Sequence, residues 1–417
     1  MVTSVRRVVS LVLAALLAAA TAVAIAPPGG VSPAGAQAAP PFYTPPSPLP
    51  AGRNGDVIRS EAISYVGAAR ASRIMYLSRD VRDRPMAVTG TVLVPTAAWT
   101  GPGPRPIVAY APFTAGMGDQ CAVSRIIGGE PGDLVSGVQT AFVNNLLQRG
   151  IAVAQTDYQG LGTPGDHTYV MRRPQAQTTL DVIRAAQRLP ATGLPAAGPV
   201  GIAGYSQGGG ASAAAVELAP TYAPELNIQG AYVGAPAADL AGLATSLDGS
   251  FYAGFLAFAL IGIDAAYDEV DLTVLANAAG NQLLNEARTV CTFDAVLRYA
   301  FRQTSTLTVT GTPVRDFLGV DPFRRIVSEN RVGTLRPAAP VLIEHSSLDD
   351  VLPVAQGRQL GRDWCSRGAT NVQFRDIPVF LPFLVHISAA NSSAVNAATW
   401  LQGRFTGTPA TGNCSAI

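Results

Sequence analysis

One serine of this chain stands in surroundings that could make it a nucleophile. Ser206 is the centre of the sequence Gly-Tyr-Ser-Gln-Gly at 204–208, which follows the apolar run 199–203 and precedes the small-residue run 209–216. A buried strand, a glycine-flanked serine and a helix in immediate succession predict a sharp turn that lifts the serine hydroxyl clear of a sheet. Glycines are needed beside it because larger side chains would collide with the neighbouring strand and helix. The positive end of the helix would point toward the Ser206 oxygen.

A serine hydroxyl becomes a useful nucleophile when a histidine accepts its proton and a carboxylate orients that histidine. On a turn of this type the partners follow in the chain order serine, acid, histidine. The chain has three histidines, His167, His345 and His386. His386 alone follows the acidic candidates and is therefore the predicted general base. The alternative interpretation of His386 is a loop histidine beside an apolar run.

Two adjacent carboxylates are candidates for the acid. Asp349 and Asp350 stand just beyond an apolar strand, where a loop would present a carboxylate at the edge of the sheet. Neighbouring residues cannot both point inward, so one of them is expected to cap a turn or the helix that starts near Pro353. Spacing alone does not separate the two. His345, a few residues upstream, is interpreted as a structural histidine with satisfied hydrogen bonds rather than as a catalytic group.

The negative oxygen of a tetrahedral intermediate needs two donors that are already in place. The backbone N–H of Gln207, the residue after the nucleophile, supplies the first by the geometry of the turn. The loop 111–118 after an apolar strand should supply the second, and Thr114 is the predicted donor, with Phe113 as the alternate. The polar loop 156–169 is interpreted as structural, with Asp157 capping its turns; substrate contact is the alternative.

Apolar strand-like runs alternate with helical stretches through most of the chain, which predicts an α/β fold with a mainly parallel sheet and helices on both faces. The predicted strands are 106–110, 151–157, 200–204, 230–234, 341–344 and 372–377, and the predicted helices of this core are 175–188, 354–365 and 393–404.

No apolar strand-like runs occur between about residues 238 and 338, so the alternation of strands and helices stops there. Helices are predicted there at 240–244, 251–266, 272–285 and 293–301, so this segment is interpreted as a helical cap inserted into a core made of 56–237 and 339–417. The segment 251–261 is apolar on nearly every face. It is interpreted as a core helix of the cap, or alternatively as a wall that receives an acyl chain or forms an apolar interface.

The N-terminus has the pattern of an export signal. Arg6 and Arg7 precede an apolar run at 8–26, and the sequence Ala-Gln-Ala at 36–38 is a typical cleavage site, so residues 1–38 are predicted to be a signal peptide cleaved after Ala38. A retained membrane anchor is the less favoured alternative. Residues 39–55 are rich in Pro and Ala and are interpreted as a loose leader.

Composition limits the classes of function. Hydrophobic residues make up 48% of the 417 residues and charged residues 14%, which predicts a large buried core rather than disorder. The formal net charge is +1, without a basic stripe, so no nucleic-acid partner is expected. Four widely spaced cysteines indicate two disulfides in an exported protein rather than a metal site, and the spacing leaves three pairings open. The chemistry requires no metal or organic cofactor.

The chain resembles the secretory lipase family of the fungal type A lipases and their actinobacterial relatives, within the α/β-hydrolase superfamily. The matching pieces span nearly the whole mature chain in the order of the family. They are Gly-Asp-Gln-Cys-Ala at 118–122, Asp-Tyr-Gln-Gly-Leu-Gly-Thr-Pro-Gly at 157–165, Gly-Tyr-Ser-Gln-Gly at 204–208, the element 349–353, and His386 with the segment 398–405.

The resemblance implies an α/β-hydrolase with a helical cap and the triad Ser206, Asp349 and His386, because the acid of the family stands four residues before the proline. It also implies that Cys121 pairs with Cys291 and that Cys365 pairs with Cys414.

Sequence and resemblance together predict a secreted, monomeric serine hydrolase that cleaves carboxylic esters of lipids, with a lipid–water interface as a possible site of action. The alternatives are an acyltransferase that uses the same triad with an alcohol acceptor, a peptidase or other amidase, and a catalytically silent binding protein on the same scaffold.

Overall fold

The computed structural model describes residues 41–132, 135–379 and 384–417. The predicted signal peptide and residues 380–383 of the apolar run before His386 lie outside the described residues. Among the helices that are described, none combines the length and the hydropathy that a membrane crossing needs.

The described residues form one nine-stranded sheet, which is mainly parallel. The order across it is β1-β2-β3-β5-β4-β6-β7-β8-β9, and all pairs from β5 to β9 are parallel. Strands β4, β5, β6 and β8 are buried along their whole length, as is typical of parallel strands covered on both faces. The strands are β1 (Val57–Ile63), β2 (Ala69–Arg79), β3 (Pro85–Pro95), β4 (Ile107–Ala111), β5 (Ala152–Thr156), β6 (Val200–Tyr205), β7 (Ile228–Gly234), β8 (Val341–His345) and β9 (Val372–Asp376).

The first three strands form an antiparallel edge that the sequence analysis does not predict. Strand β1 keeps mostly part-exposed or exposed residues, and charged side chains interrupt the apolar pattern of β2 at Arg70, Arg73 and Arg79. Strands β1 and β2 therefore lack the continuous apolar run by which the parallel strands are recognised, whereas β3 is buried from Ala87 to Pro95.

Helices cover both faces of the sheet. On one face α3 (Arg172–Arg188), α4 (Gln207–Tyr222) and α12 (Val354–Ser366) share a core with the strands. On the other face α2 (Ser136–Leu147) and α13 (Val385–Phe405) do so. The short helix α1 (Val123–Ile127) follows the loop after β4. The expected fold class, an α/β-hydrolase-type parallel sheet with helices on both faces and a helical insertion, is thus what the structure has.

Every regular element described between β7 and β8 is helical. These helices have an apolar core that also contains Met117, Tyr169, Ala237 and Leu352, which follow β4, β5, β7 and β8 respectively. The insertion thus packs over the carboxyl ends of the parallel strands. The helices are α5 (Leu240–Leu247), α6 (Gly254–Ala266), α7 (Leu272–Leu275), α8 (Ala278–Ala287), α9 (Thr292–Tyr299), α10 (Val314–Phe317) and α11 (Phe323–Asn330).

Two local expectations differ from the structure. The last helix begins at Val385 rather than near residue 393, so His386 lies in its first turn and not in a loop. The leader is not loose throughout, since Tyr43 is fully buried, its hydroxyl is 2.9 Å from Ser124 Oγ, and the Arg125 guanidinium lies over its ring. Aromatic burial anchors the leader to the domain.

Candidate active site

Ser206 occupies a strained turn between β6 and α4. Its backbone has φ 58° and ψ −120°, a left-handed conformation that a residue with a side chain adopts only when its surroundings enforce it. The flanking glycines are required by contact. A Cβ at Gly204 would lie 2.2 Å from the Gly208 carbonyl oxygen, and one at Gly208 would lie 2.0 Å from the Ala111 carbonyl oxygen. The turn predicted from the sequence motif is thus present with its steric cause.

Gln207 is the first residue of α4, and its side chain lies in a buried position. The first N–H groups of a helix have no partner within the helix and carry the positive end of its dipole. The backbone N–H of Gln207 is therefore suited to stabilise a negative oxygen that develops at Ser206.

His386 and Asp349 form a direct pair. The Nδ1 atom of His386 is 2.7 Å from Oδ2 of Asp349, whose side chain is fully buried. The other carboxylate oxygen of Asp349 accepts the backbone N–H groups of Val351 at 2.9 Å and Leu352 at 2.8 Å. Because an ionised carboxylate only accepts, Nδ1 carries the hydrogen, and Nε2 of His386 is left free to take a proton.

Asp350 has a different task. Its Oδ1 accepts the backbone N–H of His386 at 2.9 Å, which caps the first turn of α13, and its Oδ2 accepts the hydroxyl of Tyr252 at 3.0 Å. Asp349 therefore faces the imidazole ring, whereas Asp350 holds the backbone beside it and contacts the helical insertion. The expected helix-capping role of one of the two carboxylates falls on α13 rather than on the helix near Pro353.

The environment of Asp349 favours the ionised form. Burial on its own would raise the pKa of Asp349, but the charge of His386 and hydrogen bonds from His345 and His386 outweigh it, and the pKa lies well below its usual range.

His345 is fully buried, and its Nε2 is 3.0 Å from the Leu352 carbonyl oxygen and 3.4 Å from Asp349 Oδ2. Its Nδ1 has no hydrogen-bond partner among the described atoms, so the expectation of a fully satisfied histidine is wrong.

Tyr205 connects the turn at Ser206 to His386, the predicted base. The centroids of the Tyr205 and His386 rings are 4.9 Å apart, and the Tyr205 hydroxyl donates to the His386 carbonyl oxygen at 2.8 Å. The described contacts include no direct hydrogen bond between Ser206 and His386. Such bonds are often long in free enzymes and shorten when substrate binds. The residue that precedes Ser206 thus fixes the position of His386 beside it.

Thr114 is buried in the loop after β4. Its hydroxyl is 2.7 Å from that of Tyr169, and its carbonyl oxygen accepts the Thr292 hydroxyl at 2.7 Å. The neighbouring Phe113 carbonyl oxygen accepts from the Gln139 side chain at 3.0 Å. These bonds hold the loop in place, and its use as the second oxyanion donor, through Thr114 or Phe113, stays a prediction.

A cavity of only about 10 Å³ lies next to Ser206, which is room for no more than one water molecule. Helices α5 and α6 of the insertion contribute Leu243, Leu247 and Phe255 to its walls. Ser206 itself is partly exposed, and the described residues leave little room beside it for a substrate.

A larger cavity of about 70 Å³ lies within the insertion on another side of α6. Its lining is almost entirely apolar. The residues that α6 and its preceding residue contribute to it are Ala253, Ala257 and Leu260. An apolar cavity of this kind accommodates hydrocarbon better than water.

The structure pairs Cys121 with Cys291 and Cys365 with Cys414. The first bridge joins the segment after the Thr114 loop to the start of α9. The described residues contain no group of three or more His, Cys, Asp or Glu side chains that could hold a metal ion.

Of the functional groups, the sequence analysis missed His167. It excluded His167 as the base because it precedes the acid in the chain, and interpreted its loop as structural. The structure buries its ring and places Nε2 3.1 Å from the side-chain nitrogen of Gln207. The signal that could have indicated this contact is the isolated histidine among aromatic residues in a loop at the same sheet edge as Ser206.

Comparison with known proteins gives consistent results. The family model described as secretory lipase matches residues 133–413. A probable inactive lipase of Mycobacterium tuberculosis is 30% identical over 386 residues, which cover 89% of this chain and 83% of that protein. Lipase 5 of Candida albicans is 28% identical over 396 residues, covering 90% and 82% respectively.

Two solved structures share the fold. Candida antarctica lipase A in its closed state superposes with a TM-score of 0.79 at 24% identity, covering 90% of this chain and 88% of that one. The rice cell wall degrading esterase LipA from Xanthomonas oryzae superposes with a TM-score of 0.71 at 19% identity, covering 85% of this chain and all of the other.

Proposed function

The chain belongs to the secretory lipase family, a family of carboxylic ester hydrolases, and from that premise we propose that it is a secreted serine hydrolase that cleaves lipid esters through a covalent acyl-enzyme. The observation that carries this proposal is the 2.7 Å contact between His386 Nδ1 and Asp349 Oδ2, held by Tyr205 beside the strained turn of Ser206.

The reaction has two halves. Ser206 Oγ attacks the ester carbonyl carbon while Nε2 of His386 takes its proton, and Asp349 stabilises the resulting imidazolium. The backbone N–H of Gln207 and a donor from the loop at Thr114 hold the negative oxygen. The proton then passes from His386 to the leaving alcohol, and a water molecule activated by His386 hydrolyses the acyl-enzyme.

The helical insertion acts as a cap in this proposal. Its helix α6 presents Phe255 to the cavity at Ser206 and Ala257 and Leu260 to the larger apolar cavity. An apolar wall on both sides supports an acyl chain as the part of the substrate that the cap receives, as expected for esters of lipids. Movement of the cap at a lipid–water interface would widen the narrow space beside Ser206.

Secretion is part of the same proposal. The N-terminal pattern of residues 1–38 supports it, and so do the two disulfides, which persist in oxidising compartments.

The test is a series of p-nitrophenyl esters from acetate to long acyl chains, each assayed below and above its aggregation limit. Wild-type protein should hydrolyse them, and Ser206→Ala should lower kcat by about 10⁶. Ser366→Ala, a change in an exposed residue of α12, is the matched control and should retain wild-type rates. Equal rates for Ser206→Ala and wild type would contradict the proposal.

The same assay distinguishes the proposed hydrolase from the alternative functions. Partition of the acyl group to an added alcohol in preference to water would identify an acyltransferase, and faster cleavage of amides than of esters would identify an amidase. The name of the mycobacterial relative makes a silent scaffold the third outcome, which total lack of turnover would indicate. The intact set Ser206, His386 and Asp349 supports activity instead.

A further inference from the structure

His167 lies in a part of the active-site edge to which the proposed reaction assigns no role. It belongs to the loop between β5 and α3 and is 1% exposed. Its ring stacks on the ring of Tyr158 at a centroid distance of 5.9 Å and meets the edge of Tyr169 at 5.9 Å. A polar ring this deeply buried needs hydrogen-bond partners for both nitrogens.

The hydrogen bonds of His167 determine its tautomer. Nδ1 is 2.8 Å from the carbonyl oxygen of Gln159, which can only accept, so Nδ1 carries the hydrogen. Nε2 must then accept, and the side-chain amide of Gln207 donates to it at 3.1 Å. Burial, partly offset by the hydrogen bond to Gln159, lowers the pKa of His167 to about 4, so the ring is neutral and keeps this acceptor.

The contact between His167 and Gln207 restrains the residue whose backbone N–H is the proposed oxyanion donor. Gln207 follows Ser206 directly, and its backbone N–H is the donor that the turn supplies. A side chain fixed at its far end restrains the residue that carries that N–H, so the contact orients the first turn of α4 relative to the ester carbonyl.

The two tyrosines that enclose His167 also bind the loop that is proposed to supply the second oxyanion donor. The Tyr158 hydroxyl donates to the Pro112 carbonyl oxygen at 2.8 Å, and the Tyr169 hydroxyl is 2.7 Å from Thr114 Oγ1. His167 is thus a common neighbour of Gln207 and of two of the side chains that hold the loop 112–114.

We propose that His167 is a positioning residue of the oxyanion site, which fixes Gln207 through its neutral Nε2 and supports the Thr114 loop through Tyr158 and Tyr169. This inference rests on the proposed function. His167 makes no described hydrogen bond to Ser206 or His386, so it acts through Gln207 and not on the reacting atoms.

Two variants of His167, each with an amide that matches the position of one ring nitrogen, provide the test. In His167→Gln the side-chain oxygen reaches the position of Nε2 and can accept from Gln207. In His167→Asn the amide reaches only the position of Nδ1, so the bond to Gln159 can be kept and the bond to Gln207 is lost. Gln207→Met removes the same bond from the other side while leaving the backbone N–H intact.

The readouts are kcat and KM on a soluble short-chain ester, together with the inhibition constant of an alkyl boronic acid that mimics the tetrahedral intermediate. His167→Asn and Gln207→Met should each lower kcat by roughly 10- to 100-fold with KM within about twofold of wild type. The boronic acid should bind more weakly by a similar factor. His167→Gln should recover most of the loss, and the double variant His167→Asn, Gln207→Met should be no worse than either single variant.

Several results would overturn the inference. These are an unchanged kcat in His167→Asn, a loss confined to KM, equal losses in the Gln and Asn variants, or additive losses in the double variant. If the His167 variants are too unstable to assay, the kinetics of Gln207→Met and its affinity for the boronic acid decide the question alone. A wild-type protein without esterase activity would instead count against the proposed function.

Discussion

At the scale of single residues, the site depends on two adjacent carboxylates with different partners. Asp349 turns inward to the His386 ring and accepts the N–H groups of Val351 and Leu352, whereas Asp350 accepts the His386 backbone N–H and the Tyr252 hydroxyl. Only the first arrangement fixes the tautomer of His386, and in the proposed reaction it would stabilise the imidazolium.

Amide substitution of each carboxylate separates these tasks. Asp349→Asn should lower kcat by about 10⁴, because the amide favours the wrong tautomer of His386. Asp350→Asn keeps an oxygen that can accept the His386 N–H, so its kcat should fall less than about tenfold. Steady-state kinetics on one ester measures both, and a larger loss in Asp350→Asn would reverse the assignment of the acid.

The buried neutral His167 makes folding stability depend on pH. Its pKa is lowered to about 4 in the folded protein, against 6.5 for an ordinary histidine. The unfolded chain therefore binds a proton that the native protein does not, and stability is lost as pH falls from 6.5 toward 4. Urea unfolding at pH 7 and pH 4.5 should show a drop that is about 2 to 3 kcal/mol larger for wild type than for His167→Gln. Equal drops in both proteins would mean that His167 is not neutral and buried as described.

Residue types and order were enough to single out Ser206, Gln207 and His386 as candidates, and their catalytic roles stay predictions. The preference for Asp349 over Asp350 needed the family resemblance, because neighbouring positions differ only in the direction of their side chains. The contact of His167 with Gln207 could not be predicted, since it joins a loop to the start of a helix 40 positions away, and no pattern encodes the conformation of that loop.

At the scale of elements, the parallel strands were the predictable part. Their apolar runs are continuous because both faces are covered. The antiparallel strands β1 and β2 were missed because charged and exposed positions interrupt their pattern, and β3, although largely buried, was missed as well. The start of α13 was placed too late, since the run 379–385 lacks the helical spacing of polar residues, yet the first turn of this helix carries His386.

Helix α4 also carries a buried carboxylate that joins several elements. Glu217 is fully buried and accepts from Arg172 of α3 at 2.6 Å, from the Trp364 indole of α12 at 2.7 Å, and from the backbone N–H of Gly333 at 2.7 Å. Gly333 lies on the return from the helical insertion to β8. One side chain thus links α3, α4, α12 and the end of the insertion.

Removal of the Glu217 carboxylate should destabilise the folded protein. Glu217→Ala leaves a buried arginine and three further donors, on Trp364, Gly333 and Leu335, without their acceptor. We expect it to lower the free energy of unfolding by about 3–5 kcal/mol. Glu225→Ala is the matched control, because its partly exposed side chain also pairs with an arginine, Arg184, and should cost about 1 kcal/mol or less. Urea unfolding of both variants measures the difference, and similar losses would contradict the account of this cluster.

At the scale of the whole molecule, the insertion is bound to the loop that contains Thr114. The Cys121–Cys291 bridge spans 170 residues of sequence, and beside it Met117 N–H donates to the Val290 carbonyl oxygen at 3.0 Å and Thr292 N–H to that of Ala115 at 3.0 Å. The second bridge, Cys365–Cys414, joins α12 to the C-terminal segment. The insertion was predictable from the halt in the strand rhythm. Which of its side chains line the cavity beside Ser206 was not, because tertiary contacts between helices and loops leave no periodic signal.

Removal of the two bridges should have different consequences for activity. Each pair of Cys→Ser changes should lower stability by about 2–5 kcal/mol, because the unfolded chain gains freedom. The pair Cys121→Ser, Cys291→Ser should also lower kcat, since it releases the loop at Thr114 from the insertion, whereas Cys365→Ser, Cys414→Ser should leave kcat unchanged. Thermal unfolding and ester kinetics of the two double variants are the measurements, and equal effects on kcat would show that the first bridge has no part in the active site.

The most direct measurement of the central claim is covalent labelling with a fluorophosphonate, followed by mass spectrometry of the intact protein and its peptides. The account predicts one adduct per chain, on the peptide that contains Ser206, with no adduct in Ser206→Ala and a much slower reaction in His386→Ala and Asp349→Asn. An adduct on another residue, or a labelling rate that does not depend on His386 and Asp349, would contradict it.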